Sequence, residues 1–76
     1  MPHVTIKHYP RDLSAEQQQA LADEVTALIA RHFGSQPQSV SLALQEVSPE
    51  AWKQAVWDPE IAPQLATLAK KPGYSL

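Results

Sequence analysis

The sequence predicts an α/β fold. Its unit is β-α-β: two parallel strands joined by one long helix and followed by short C-terminal helices, with two copies forming a four-stranded sheet in the dimer. Three observations predict it. Val4, Ile6 and His8 alternate with His3, Thr5 and Lys7. Leu21, Val25, Leu28, Ile29, His32 and Phe33 then recur at spacings of three and four, and Val40, Leu42 and Leu44 alternate again. Period two marks a strand and period three to four a helix. A strand, a long helix and a second strand make a crossover that leaves the strands parallel.

The first strand is expected over about 3–9, because β-branched residues at alternate positions suit a pleated surface and Pro10 cannot donate to a ladder. Tyr9-Pro10-Arg11-Asp12 is the connection into the helix. Ser14-Ala15-Glu16-Gln17 reads as a capping box, in which the Ser14 hydroxyl accepts from the Gln17 backbone and the Gln17 side chain reaches back. The helix is expected over about 15–33, with Gly34 as a left-handed C-cap. Ser35-Gln36-Pro37-Gln38 is a short loop, and the second strand is expected over about 39–46. Ser48-Pro49 starts a short turn or helix, with Ser48 as N-cap and Pro49 at the first helical position. Asp58-Pro59-Glu60 repeats that signal, and Ile61, Leu65, Leu68 and Ala69 follow helical spacing to about Lys70. Pro63 conflicts with a helix begun at Pro59, since it removes a backbone bond there, so the helix begins at Pro59 or at Pro63 itself. Pro72-Gly73 stops it.

With 76 residues the chain is expected to be a single domain over 1–76. It has no cysteine to supply a disulfide or a thiolate metal site. A two-stranded sheet covered by one helix is too small to be stable alone. Two copies give four strands and two long helices, so a homodimer follows from the pattern. Six Lys and Arg spread along a chain of net charge -2 offer no clustered basic face for nucleic acid. No apolar run has the length of a membrane span and no secretory signal pattern is visible, so a cytoplasmic location is expected. His3 and His8 fall on opposite strand faces and His32 on the helix, which is no ligand set, and neither a metal nor a cofactor is expected. The sequence also holds no nucleophile triad, phosphate-cradling glycine loop or dinucleotide fingerprint.

The segment Met1-Pro2-His3-Val4 carries the candidate chemistry. Removal of Met1 before a small second residue leaves Pro2 as a secondary amine at the tip of a strand, where it can act as a base. The plain alternative is that Pro2 only protects the terminus or starts the strand.

Met-Pro, an alternating strand, an arginine-bearing turn, a capped Ser-Ala-Glu-Gln helix, a second strand and a tryptophan just after it together resemble the 4-oxalocrotonate tautomerase family. Pro2–Tyr9, Arg11–Gln19 and Val40–Trp52 carry the likeness. The stretches from Trp57 to Gln64 and from Lys70 to Ser75 are similar to its PptA-type subgroup, which acts on enols of phenylpyruvate-like acids. The resemblance implies a β-α-β tautomerase subunit, paired into a dimer, that is active only once the proline nitrogen is free. Many members build hexamers through a glycine-rich C-terminal hairpin. This chain has no glycine between Val47 and Gly73, so a dimer is expected rather than a hexamer.

A keto–enol isomerase accepts a proton at one atom and returns it at another, which a base poised near the working pH does best. The resemblance makes Pro2 that base, with an apolar site holding its amine below the ordinary range. It makes Arg11 the cation for the substrate carboxylate, although Arg11 also suits a solvated turn. It places Ser41 where better-known members carry a second arginine, which favours a monoacid over a dicarboxylic substrate. It gives Trp52 as the aromatic wall that stacks on an aryl ring, a role that coexists with packing in a core or interface. Two alternatives remain open. One is a proline-based hydratase, dehalogenase or decarboxylase of a small unsaturated acid; the other is a dimeric interaction module without activity.

Overall fold

The structure is a computed structural model and describes residues 1–76. The order is β1 (His3–His8), α1 (Ala15–Phe33), a 3-10 turn at Pro37–Ser39 and β2 (Ser41–Glu46). After β2 come a 3-10 turn at Pro49–Ala51, a π-helical segment Lys53–Ile61 and a 3-10 segment Ala62–Thr67. Two compact units result, Met1–Glu46 and Val47–Leu76.

In the first unit β1 and β2 pair in parallel, with His3 opposite Ser41 and His8 opposite Glu46. The expected β-α-β unit is therefore present. Val4, Ile6, Leu42 and Leu44 share one half-buried face, while His3, Thr5, Ser41 and Ala43 on the other are exposed. The first face looks toward α1: Ala15, Gln18, Gln19 and Ala22 line a shallow cavity of about 420 Å³ with Leu42 and Leu44.

α1 has the bounds its sequence predicts, because both ends are set by contacts within a few residues. Gln17 N–H donates to Ser14 Oγ at 3.1 Å, and Ser14 N–H donates to Gln17 Oε1 at 2.8 Å. Gly34 takes φ 64° and donates its N–H to the Ala30 carbonyl, the left-handed cap that glycine adopts without steric cost.

Both strands are shorter than expected. β2 starts at Ser41 rather than at 39, because Ser39 and Val40 donate their N–H groups back to Gln36 and Pro37 at 2.9 and 3.1 Å. Those groups close a turn and are lost to the ladder. β1 ends at His8 rather than at 9, where His8 Nδ1 donates to the Tyr9 carbonyl at 2.6 Å.

The C-terminal part departs further. Pro59 does not start a helix; it lies inside the π-helical segment. There Ala62 N–H reaches the Trp57 carbonyl, five residues back, and the wider turn moves carbonyls away from positions where a proline ring clashes in an α-helix. Pro63 falls in the first turn of the following 3-10 segment, where its missing N–H has no partner to lose. That segment stops at Thr67, short of Lys70, with Leu68 extended.

The buried hydrophobic residues are Val47, Val56 and Trp57, all in the second unit. No side chain of Met1–Glu46 is fully buried. Leu28 and Phe33 on α1 remain exposed. No helix is long and apolar enough to cross a membrane.

Candidate active site

Pro2 is half-buried and immediately precedes β1, following a fully exposed Met1. Its carbonyl accepts the Ser41 N–H at 3.1 Å, which extends the ladder by one bond and ties the start of β1 to the start of β2. The parallel register therefore brings Pro2 and Ser41 together. It also sets His3 against Ser41, with Nδ1 2.6 Å from the hydroxyl. At Ser41 the strand ends thus present a hydroxyl beside an imidazole, where an arginine would place a guanidinium.

Arg11 lies at the opposite end of the strands. It lines a cavity of about 150 Å³ with His8, Leu13, Gln18, Leu44 and Glu46. The bond to the Tyr9 carbonyl puts a proton on His8 Nδ1, because a carbonyl can only accept. Arg11 is exposed, so its guanidinium is accessible to an anion from solvent. From Pro2 to His8 is six residue steps, about 20 Å of extended chain. Pro2 and the Arg11 cavity thus lie toward opposite ends of β1.

Trp52 belongs to the second unit and is half-buried. Its Nε1–H donates to the Tyr74 hydroxyl at 3.0 Å. The Tyr74 ring lies 5.5 Å from that of Trp57 at an interplanar angle of 42°, within the range of favourable tilted aromatic pairs. Lys53 and Asp58 form an exposed ion pair at 3.1 Å on the same unit. No group of three or more His, Cys, Asp or Glu side chains converges on a possible metal position.

Sequence reasoning passed over His3 and Tyr74. His3 was legible in principle, since the same register that pairs Val4 with Leu42 pairs His3 with Ser41. For Tyr74, 22 residues from Trp52, no periodicity carries the signal.

A family model described as tautomerase enzyme matches residues 2–56. The chain is 63% identical to tautomerase PptA of Cronobacter sakazakii over 76 residues, covering 100% of both chains. It is 58% identical to tautomerase PptA of Klebsiella pneumoniae and 55% identical to that of an Escherichia coli strain, again over 76 residues and 100% of both chains.

Proposed function

The chain belongs to the tautomerase family and is a tautomerase, an isomerase, and on that premise we propose that it interconverts the enol and keto forms of phenylenolpyruvate-like 2-oxo acids with Pro2 as the base. The observation that carries the reading is that the family match begins at Pro2, the residue after an exposed Met1. While Met1 is attached, the proline nitrogen is an amide whose lone pair is delocalised into the carbonyl. Once Met1 is removed it is a secondary amine, free to accept a proton.

The step is a proton transfer that needs no cofactor. The amine takes the proton of the enol hydroxyl. The electron pair of the carbon–carbon double bond then takes the proton from the ammonium at C3, as the C2–oxygen bond becomes a carbonyl. Arg11 pairs with the carboxylate and stabilises the charge that grows on the adjacent oxygen. Trp52 offers an aromatic face to the aryl group. Ser41, neutral and beside Pro2, leaves room for a substrate with no second carboxylate.

The functional form in this reading is a homodimer in which both units of the 76 residues act as one tautomerase domain. Two observations support it. The first unit buries no side chain fully, so its apolar stripe gains from a second copy. The span between Pro2 and Arg11 also calls for a second chain to complete the site.

The test is ketonisation of phenylenolpyruvate followed in the ultraviolet, on protein whose mass confirms loss of Met1. Pro2→Ala is expected to lower kcat by about a hundredfold to ten-thousandfold, the usual contribution of a positioned acid–base group. No rate above buffer from the processed protein, or equal rates for variant and wild type, sinks the reading.

A further inference from the structure

The last six residues contain no helix or strand, yet Tyr74 within them joins both tryptophans. Trp57 is 6% exposed and supplies a fixed wall. The Tyr74 ring packs on that wall, and its hydroxyl accepts the Trp52 Nε1–H. Indole has one polar atom, so a hydrogen bond at Nε1 selects one orientation of a ring that otherwise turns about two side-chain torsions. Trp52 itself is half-buried, so the residue keeps some accessible surface.

We propose that Tyr74 is a positioning residue: anchored on Trp57, it holds the Trp52 indole at the angle that accepts an aryl group, and so sets the preference for aryl over alkyl acids. The inference rests on the reading of Trp52 as the aromatic wall of the substrate site. Tyr74 touches no substrate and moves no proton in this account. Its effect passes through the Trp52 N–H, and that is what distinguishes it from a residue that only holds the tail in place.

Tyr74→Phe tests it, because the ring that packs on Trp57 is kept and only the acceptor is lost. KM for phenylenolpyruvate is expected to rise about two- to tenfold, the value of one neutral hydrogen bond, with kcat unchanged. Binding of two unreactive acids by calorimetry gives a readout independent of turnover. Kd for 3-phenylpropanoate is expected to rise by the same factor while that for hexanoate stays constant. In a Trp52→Phe background, where the donor is already gone, Tyr74→Phe should add nothing. Trp52→Phe alone carries the same comparison if Tyr74→Phe does not fold. Equal weakening of both acids, an undiminished effect in the Trp52→Phe background, or unchanged aryl binding overturns the proposal. Tyr74-dependent binding of 3-phenylpropanoate without turnover upholds the positioning role and removes only the phenylenolpyruvate reaction.

Discussion

Mixing two weakened variants tests how the site is assembled. Pro2 precedes β1 and Arg11 follows it, with about 20 Å of extended chain from Pro2 to His8 alone. An acid of phenylpyruvate size is shorter than that span. Within one protomer the strands run parallel, and Arg11 follows the far end of β1, away from the end where Pro2 meets Ser41. In the proposed homodimer, a two-fold axis perpendicular to the sheet would set the strands of one copy antiparallel to those of the other and turn each Pro2 toward the partner copy's arginine end. On that proposal each dimer would have two sites, each with a proline from one copy and an arginine from the other. Pro2→Ala replaces the proposed secondary-amine base in both sites with a weaker-performing primary amine. Arg11→Ala lacks a charge-assisted carboxylate contact, expected to cost about tenfold to a hundredfold in kcat/KM. Unfolding the two together in equal amounts and refolding them gives half mixed dimers. In each mixed dimer one site has lost both groups and the other has kept both. About a quarter of wild-type activity is therefore expected to return, one intact site in half of the dimers. The ultraviolet ketonisation assay reads the activity, and native mass spectrometry reads the fraction of mixed dimers. Mixed dimers that show only the sum of the parental activities would refute the shared site, as would an Arg11→Ala protein with wild-type kcat/KM.

Two further outcomes are expected. Ser14→Ala removes the acceptor for Gln17 N–H and should lower stability by about 1 kcal/mol, measured by urea unfolding, with kcat unchanged because the cap lies outside the proposed chemistry. Ser41→Arg should raise kcat/KM for a dicarboxylic 2-oxo enol relative to phenylenolpyruvate by about tenfold or more, since it adds a charge-assisted contact beside Pro2.

The parts legible in the sequence are those fixed by neighbours. The capping box spans four residues and the glycine cap refers back four, so α1 could be bounded before any tertiary contact was known. The alternation of Val4 and Ile6 with that of Leu42 and Leu44 gave the shared face and, through the long connection, the parallel pairing. The second strand was overextended because Ser39 and Val40 continue its alternation while their N–H groups close a turn on Gln36 and Pro37. Pro59 misled in the other direction. Asp58-Pro59-Glu60 is a sound local start signal, but the helix was already under way from Lys53.

Among the proposed site residues, the sequence nominated Pro2, Arg11, Ser41 and Trp52 by position and residue type. The fold joins Pro2 to Ser41 because they begin adjacent parallel strands, and separates Arg11 because a strand lies between. His3 enters through register, and Tyr74 through a contact across 22 residues.

By itself, then, the sequence determined the β-α-β order, the bounds of the long helix and the family, all of which depend on periodicity and on contacts a few residues apart. Only the tertiary structure decided the π-helical course through Pro59, the burial of Val56 and Trp57, the contact of the Ser41 hydroxyl with His3 and the hydrogen bond between Trp52 and Tyr74. Each of these depends on which distant groups meet in space. Local propensity carries no record of that, because the energy that selects such contacts is gained only when the chain has closed around them.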